Sequence, residues 1–378
     1  MSTWILTGSS TTACMSHSDL TFPALRPAYS IEPSWRRPIA IVGAGRIVDT
    51  AHLPAYALAE LPVAGLFDLD VNRAATVAAK HSLGVVYRTL DELWADTDVD
   101  VVDVALPPDT QPAIVRAALN AGKHVLCQKP LATKTSDAVA MVNTAVTRGR
   151  QLGVNQQLRH EDGLRTAAAL LVQGRFGDPQ SLTFRARGSI DWSSRRWTRD
   201  AARLELPLHA IHYLDAIRFL FGEPDTVRAT IGRRAGGQAV RGETRVQAIL
   251  RYADGRTATL DSDHDNADEA GGASFLVEGS DGSLHGDLRW TQPSVLTWQS
   301  SRDASDRTTQ AVRHAWQPYA FAGPMTSLLG AVAGAGSPQP SADDNLKTLR
   351  IVDAIYAAAA SGRTLRLQPV ERPKRGLS

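Results

Sequence analysis

The first residues that could do chemistry lie in the stretch Ile39-Ala-Ile-Val-Gly-Ala-Gly-Arg-Ile-Val48, where an apolar run is broken by two glycines and then resumes with helical spacing. Gly43 would permit a tight turn, and Gly45 would let the backbone approach a ligand closely. A helix beginning near Arg46-Ile47 would direct unpaired N–H groups and its positive dipole end towards phosphates. Because Val48 occupies the third glycine position, the fingerprint is incomplete, and an ordinary glycine turn of an α/β protein is the alternative.

An acidic residue after the next apolar run supports a nucleotide site. The run Val63-Ala-Gly-Leu-Phe67 ends at Asp68, twenty residues after Val48, where dinucleotide sites hold a carboxylate against the ribose hydroxyls. A carboxylate there would repel a 2′-phosphate, which favours NAD over NADP. The alternative is that Asp68 or Asp70 caps the helix predicted over residues 73–80.

The elements that would position these residues alternate short β-rich runs with helical segments from Pro38 onward, which is typical of a parallel sheet. Further strands are predicted over residues 99–106, 123–127 and 151–154, with helices over 111–121 and 135–148. Ligands collect at the carboxyl ends of strands in doubly wound sheets. We therefore expect Leu106-Pro107, Gln128-Lys129 and Asn155 to face the same crevice as Gly43. Residues 38–158 are predicted to form a dinucleotide-binding Rossmann domain.

After Arg159 the apolar pattern changes to period two, which predicts a second domain of the α+β class with a mostly antiparallel sheet over residues 159–368. Asp-Gly pairs in Ala253-Asp-Gly-Arg256 and Ser280-Asp-Gly-Ser283 predict two hairpins. Helices are predicted over 161–173, 205–221 and 342–360, and strands over 180–187, 226–233, 244–252, 256–263, 274–279 and 283–289. Residues 1–37 and 369–378 are predicted to be tails.

The composition argues against several classes of function. The 378 residues are 43% hydrophobic and 21% charged with a formal charge of +2, which gives no general electrostatic reason to bind nucleic acid or membrane. Cys14 and Cys127 lie far apart, so neither a disulfide framework nor metal-ligand spacing is indicated. Since the first 37 residues show no secretory signal pattern, we expect a cytoplasmic protein whose partners are small molecules.

Four segments make the sequence resemble the Gfo/Idh/MocA oxidoreductases, the family of glucose-fructose oxidoreductase and inositol dehydrogenase. They are Gly43-Ala-Gly-Arg-Ile-Val48 with His52-Leu-Pro54, Val101-Val-Asp-Val-Ala-Leu-Pro107, Ala121-Gly-Lys-His-Val-Leu-Cys-Gln-Lys-Pro-Leu-Ala132, and Ile211-His-Tyr-Leu-Asp215 before Phe221-Gly-Glu-Pro224. The resemblance implies a Rossmann domain that binds NAD(P) and hydride exchange at a carbinol carbon. It also implies a C-terminal open-faced sheet that shapes the substrate pocket and packs against other subunits of a dimer or tetramer.

The resemblance assigns roles to individual residues. Gln128-Lys129-Pro130 stands where the family has Glu-Lys-Pro, so Lys129 corresponds to the lysine that polarises or positions the substrate oxygen beside the nicotinamide. The bond between that lysine and proline is often cis. The His-x-x-Asp helix of the family corresponds to His212 and Asp215, with His212 as the catalytic histidine. A catalytic aspartate commonly lies four residues before this histidine, where the sequence has Leu208.

The two departures from the family change the expected chemistry. A leucine cannot relay a proton or hold an imidazolium, so the histidine-aspartate dyad is absent. His209 lies three residues before His212, shares its helical face and could partly substitute for the missing acid. The glutamine at position 128 removes a negative neighbour of Lys129, which makes the neutral form of the lysine easier to reach. We hypothesise a lysine-assisted, histidine-based proton relay.

A further set of residues could bind a polyhydroxylated substrate, and each member has an ordinary structural alternative. The set comprises Asn155, Gln157, Arg159, Trp192, His209 and Asp215. The polar residues at 155–159 could instead cap a helix or solvate a loop, and Asp215 could pair with Arg218 three residues on. Trp192 and Trp197 could be buried at a subunit contact. The acidic cluster from Asp261 to Glu269 has no metal-ligand spacing and is predicted to be a strand end and a solvated loop.

We therefore expect an NAD-dependent dehydrogenase or reductase that acts on a sugar, sugar acid or cyclitol. One alternative is a catalytically idle cofactor-binding or regulatory protein, which the residues at 128 and 208 would permit. The other is a lyase or isomerase that binds NAD tightly and recycles it within each cycle.

Overall fold

The computed structural model describes residues 22–266 and 271–368, and these residues divide into two compact units. One unit contains residues 28–157 and 318–350, and the other contains residues 22–27, 158–317 and 351–368. Cys14, most of the predicted N-terminal tail, the end of the acidic cluster and the predicted C-terminal tail lie outside the described residues. No helix within the described ranges is long and apolar enough to cross a membrane.

The first unit is built on a six-stranded parallel sheet. Its strands are β1 (Ile39–Val42), β2 (Val63–Phe67), β3 (Val85–Val86), β4 (Val101–Val104), β5 (His124–Cys127) and β6 (Leu152–Val154), in the order β3-β2-β1-β4-β5-β6. Every residue of β1, β4 and β6 is buried, as expected for strands covered on both faces. The predicted Rossmann architecture is confirmed, although β3 was not predicted.

Five helices connect these strands. They are α1 (Leu53–Leu58), α2 (Val71–Lys80), α3 (Leu90–Ala95), α4 (Gln111–Asn120) and α5 (Thr135–Arg148). A π-helical turn over Val48–His52 leads into α1, so the helix after the glycine turn begins with an irregular turn. Helix α5 has the predicted bounds because Gly149, in the left-handed conformation at φ 60°, ends it.

The second unit contains helices and a nine-stranded, mostly antiparallel sheet, which confirms the predicted α+β class. The helices are α6 (Asp162–Val172), α7 (Arg196–Arg199) and α8 (Ile211–Phe221), and α8 follows a π-helical turn over Leu206–Ala210. The strands are β7 (Pro179–Arg187), β8 (Thr226–Gly232), β9 (Arg245–Arg251), β10 (Thr257–Asp263), β11 (Gly272–Gly279), β12 (Gly282–Leu288), β13 (Pro293–Ser300), β14 (Arg307–Ala315) and β15 (Leu365–Arg366). Their order is β14-β13-β12-β11-β7-β10-β9-β8-β15.

Pairing within this sheet follows the predicted turns. The Asp-Gly turns connect β9 to β10 and β11 to β12 as antiparallel hairpins, as predicted. Strands β7 and β10 pair in parallel, and the other neighbours in the described sheet pair antiparallel. Buried and exposed residues alternate along β9, so this strand has one covered face and one exposed face.

Two further helices, α9 (Tyr319–Val332) and α10 (Ala342–Ser361), lie between β14 and β15. Helix α9 was not predicted. It packs against β5 and β6 and so belongs to the first unit, whereas the sequence predicts that all of residues 159–368 form the second domain. It is apolar on nearly all sides, and a helix of that kind must be buried. Part of the predicted N-terminal tail is also packed, because Ile31 is buried and Thr326 Oγ1 donates to the carbonyl of Ala28.

Candidate active site

The glycine turn after β1 has the conformation that a nucleotide site requires. Gly43 has a φ of +108°, and a Cβ atom there would lie 2.5 Å from the carbonyl oxygen of Ala105. A Cβ atom at Gly45 would meet no heavy atom within 4 Å, so this part of the backbone is open to a ligand. Arg46 is exposed and Ile47 is half-buried. The turn therefore offers a dinucleotide the close backbone approach expected from the sequence.

Asp68 is tied to the glycine turn. Its Oδ2 accepts a 2.7 Å hydrogen bond from the N–H of Ala44, and its Oδ1 accepts from the N–H of Asp70. Burial opposes ionisation of Asp68, but the Arg73 guanidinium and these two N–H groups hold its pKa below the usual value. The cap of α2 is Asp70, which accepts from the N–H of Arg73 at 3.1 Å. Asp68 is thus a charged carboxylate beside the turn, and a ribose would compete with Arg73 for its oxygens.

The ends of three neighbouring strands carry the other predicted residues of this unit. Because β4, β5 and β6 are adjacent and parallel, Leu106-Pro107, Gln128-Lys129 and Asn155 follow them at the same edge of the sheet as Gly43. Lys129 is half-buried, whereas Gln128 and Asn155 are buried. The structure therefore brings these residues to the edge where ligands bind in sheets of this topology.

Gln111 holds the segment that contains Lys129. The Lys129-Pro130 peptide bond is cis, as the resemblance implied. The fully buried amide of Gln111, at the start of α4, donates to the carbonyl oxygens of Gln128, Pro130 and Leu131 at 2.7, 3.0 and 3.1 Å. The role of Gln111 was not predicted, because only its partners, at least 17 residues away along the chain, distinguish it from an ordinary residue at the start of a helix.

In the second unit, helix α8 carries the predicted histidine and aspartate. His212 is buried, and its ring stands edge-on to Trp316 at a centroid separation of 6.3 Å. Asp215 and Arg159 were both predicted to bind substrate, and the structure pairs them with each other through two hydrogen bonds of 2.5 and 2.8 Å. Arg218 lies 3.8 Å from the same carboxylate, so the predicted alternative contact is also present.

The residues around Leu208 form a small apolar core. Leu208 packs with Leu204, Val240 and Trp192, and each of these side chains is buried. The position that would hold an acid in the family is therefore part of a hydrophobic cluster. Trp192 is only 4% exposed and lies edge-on to His209 at 5.0 Å, while Trp197 is 41% exposed.

A buried carboxylate that contacts His264 was not predicted from the sequence. Glu205 Oε1 accepts hydrogen bonds from Ser262 Oγ at 2.6 Å and from His264 Nδ1 at 2.8 Å. All three side chains are fully buried, and the ring of His264 lies 4.7 Å from that of His209. Burial and then the charge of Glu205 raise the pKa of Tyr213. The strand end predicted within the acidic cluster is confirmed, because β10 runs to Asp263. The solvated loop predicted after it is wrong for His264 and Asp265, which are buried, His264 against Glu205 and Asp265 against Gln238.

No group of three or more His, Cys, Asp or Glu side chains within residues 22–266 and 271–368 is arranged to hold a metal ion. The features that are present fit a dinucleotide: an open backbone at Gly45, a charged Asp68 and a lysine after β5. Together with the mostly antiparallel second unit, they define a two-domain oxidoreductase of the pyridine-nucleotide class.

Comparison with known proteins agrees with this class. Residues 37–156 match the model of an oxidoreductase family with an NAD-binding Rossmann fold, and residues 164–285 match the GFO/IDH/MocA C-terminal domain. The chain belongs to the Gfo/Idh/MocA family of NAD(P)-dependent oxidoreductases, as the resemblance indicated.

Relatives are similar over most of their length. The chain is 26% identical to D-apiose dehydrogenase of Paraburkholderia graminis, covering 88% of this chain and 90% of the relative. It is 28% identical to 1,5-anhydro-D-fructose reductase of Ensifer adhaerens, covering 87% and 98%. The solved structure of aldose-aldose oxidoreductase from Caulobacter crescentus, complexed with glycerol, has a TM-score of 0.78 and 25% identity, covering 88% and 100%.

Proposed function

We propose that this protein transfers hydride between NAD and the secondary alcohol or ketone of a sugar, sugar acid or cyclitol. The observation that carries the proposal is a lysine, Lys129, held in a fixed segment at the same sheet edge as the glycine turn. Relatives named as dehydrogenases or reductases of apiose, anhydrofructose and xylose support the substrate class.

The predicted cofactor-binding and catalytic residues have separate roles in this proposal. The nicotinamide, when bound, accepts or returns the hydride, and the glycine turn and Asp68 would hold the rest of the nucleotide. Lys129 donates an N–H to the reacting oxygen of the substrate and so positions it. His212 takes the hydroxyl proton during oxidation and returns it during reduction, a role that suits an imidazole near neutral pH. His209, with Glu205 and His264 close by, would serve as the second histidine of the relay.

The nucleotide preference depends on two neighbouring side chains. The Asp68 carboxylate favours NAD, because it would repel a 2′-phosphate. Arg73, whose guanidinium is 2.6 Å from Asp68 Oδ1, weakens this preference by offering a cation at the same place. A relative from Haloferax volcanii, 27% identical, is named an NADP(+)-dependent D-xylose 1-dehydrogenase, so both nucleotides must be tested. We expect Asp68→Ala to weaken NAD binding measured by calorimetry; unchanged affinity would refute the ribose assignment.

The proposed activity is tested with a panel of sugars, sugar acids and cyclitols, by following absorbance of the reduced nicotinamide. Lys129→Ala and His212→Ala should each lower turnover by about 10²-fold or more, as expected for groups that position or transfer a proton. Lys134→Ala, which removes an exposed lysine of the same unit, is the matched control. Turnover within about threefold of wild type in both variants would refute the site assignment.

An idle nucleotide-binding protein is the second candidate, and the packing of Leu208 favours it because no acid precedes His212 by one turn. Calorimetric uptake of NAD without turnover on any substrate would support that candidate. Product formed without net NADH would instead support a lyase or isomerase with recycled NAD.

We also propose that the outer face of the second unit's sheet packs against another copy of the chain in a homodimer or homotetramer. Ile249, on the outward side of β9, is 43% exposed and would be covered by such contact. Light scattering after size exclusion measures the assembly, and Ile249→Arg should shift it towards the monomer.

A further inference from the structure

A buried polar network adjoins the residue that precedes Lys129, and it contains a histidine that the proposed chemistry does not use. His52 Nδ1 lies 2.6 Å from Asp103 Oδ2, and the hydroxyl of Tyr56 donates to the same oxygen at 2.6 Å. All three side chains are fully buried. Burial and then the charge of Asp103 raise the pKa of Tyr56, so this hydroxyl keeps its proton and acts as a donor.

The opposite ring nitrogen of His52 faces two amides. His52 Nε2 lies 2.6 Å from Gln128 Nε2 and 3.2 Å from Asn155 Nδ2. Because an amide nitrogen donates and cannot accept, both contacts require a lone pair on His52 Nε2. The single ring proton is then on Nδ1 and is donated to Asp103. The imidazole is neutral, and Asp103 carries the negative charge of the network.

The network connects five elements of the first unit, the first of which is α1, where Tyr56 lies. His52 ends the π-helical turn after the glycine turn, Asp103 lies in β4, and Gln128 and Asn155 follow β5 and β6. Two further groups near this charge are neutral: burial and then Asp103 raise the pKa of the Cys127 thiol, and the ring of Phe321 from α9 lies 5.6 Å from that of His52.

We propose that His52 is a positioning residue for hydride transfer: its Nε2 lone pair anchors the Gln128 amide and thereby the backbone that carries Lys129. This inference rests on the proposed function. Groups that act on a substrate must be held to within about 0.5 Å, and side chains locked by a second layer of hydrogen bonds achieve this. Gln111 holds the carbonyl side of the segment, and His52 holds the side chain of its first residue.

The glutamine at position 128 specifies the protonation state of His52. A glutamate there would accept and could not donate, so it would require a proton on Nε2 and an imidazolium between two carboxylates. Gln128→Glu should therefore bring an additional proton into the network. The double variant Gln128→Glu with Asp103→Asn moves the carboxylate to the other side of the ring, and a neutral His52 of the opposite tautomer should satisfy it.

Nuclear magnetic resonance of ¹⁵N-histidine protein tests the tautomer in the wild type, with His52→Asn to assign the signal. We expect the neutral imidazole of His52 to show a protonated Nδ1 and an unprotonated Nε2 at pH 8. A protonated Nε2 at this pH would overturn the inference, because Gln128 would then accept through its oxygen. This measurement requires neither a substrate nor a variant that reports on activity.

Steady-state kinetics test the positioning role. Gln128→Glu should lower kcat by about 10- to 100-fold through misplacement of Lys129, with little change in the KM for nucleotide, and the double variant should recover most of kcat. Gln173→Glu, at an exposed position, controls for the added charge. Wild-type kcat in Gln128→Glu would overturn the inference. If the wild type turns over no substrate, the proposed function fails. The positioning role is then tested by the chemical shift of the Lys129 backbone amide: the single variant must change this shift, and the double variant must restore the wild-type value.

Discussion

Glu161 makes the stability of the second unit depend on pH. This side chain caps α6, where it accepts a 2.9 Å hydrogen bond from the N–H of Leu164, yet it is only 1% exposed. Burial raises its pKa from 4.5 to about 7, against the opposing effect of the N–H groups of Leu164 and Gly163. The folded state therefore binds a proton at Glu161 more tightly than the unfolded state does.

The sign and size of the effect follow from that difference in pKa. Stability from protonated Glu161 is fully present below pH 4.5, declines as the pH rises, and is lost above about pH 7. Raising the pKa from 4.5 to about 7 corresponds to about 3 kcal/mol of unfolding free energy. The side chain in Glu161→Gln resembles the protonated acid and cannot titrate. The unfolding free energy of this variant should therefore lack the pH dependence that Glu161 gives the wild type.

Urea unfolding at intervals from pH 4.5 to pH 8 measures the effect as a difference between two proteins. We expect the unfolding free energy of wild type, relative to Glu161→Gln, to fall by about 3 kcal/mol across this range. Glu60→Gln, at an exposed position, should run parallel to wild type. If Glu161→Gln also runs parallel to wild type within about 0.5 kcal/mol, the assigned pKa is wrong.

Three other predictions concern single positions. Gly43→Ala should lower the unfolding free energy by at least about 2 kcal/mol, because Gly43 has a positive φ and a close backbone contact. Gly45→Ala should keep the wild-type melting temperature and weaken NAD binding. Equal melting temperatures of the two variants would contradict this prediction. Asp215→Asn leaves the guanidinium of Arg159 buried without its carboxylate and should cost about 3–5 kcal/mol in urea unfolding, so a cost below about 1 kcal/mol would contradict a buried ion pair. Burial and then the charge of Arg150 lower the pKa of His124 to about 4, so its imidazole signals should titrate near pH 4 and stay constant from pH 5.5 to 8.

The fold was predictable where local chemistry and burial agree. Strands β1 and β4 are short, mostly apolar runs, and such a run predicts a strand of a parallel sheet that is buried on both faces. The two Asp-Gly turns set hairpins that the sheet preserves. Strand β14 was missed because most of its residues are exposed, so apolar alternation is weak. Helix α9 was missed because it is apolar on nearly all sides and contains Pro324, which hides the helical period.

The candidate site was predictable only in part, because its supporting residues find partners far along the chain. His52 contacts Asp103 across 51 residues and Gln128 across 76, and neither spacing leaves a local pattern. One signal was present in the sequence. Asp103 is a charged residue inside an otherwise apolar strand, and a buried carboxylate needs partners.

At positions 128 and 208 the family has acidic residues that this sequence lacks, and the surroundings of the two positions differ. At position 128 the glutamine donates to a neutral histidine, so the hydrogen bond survives without the charge. At position 208 the leucine lies among the buried apolar side chains of Leu204, Val240 and Trp192, where burying a carboxylate would cost several kcal/mol. We therefore expect an aspartate introduced at position 208 to destabilise the protein rather than to assist His212. Glu205 supplies a carboxylate elsewhere in this unit, but Ser262 and His264 already hold it by hydrogen bonds. We therefore expect proton transfer to depend on the histidines themselves.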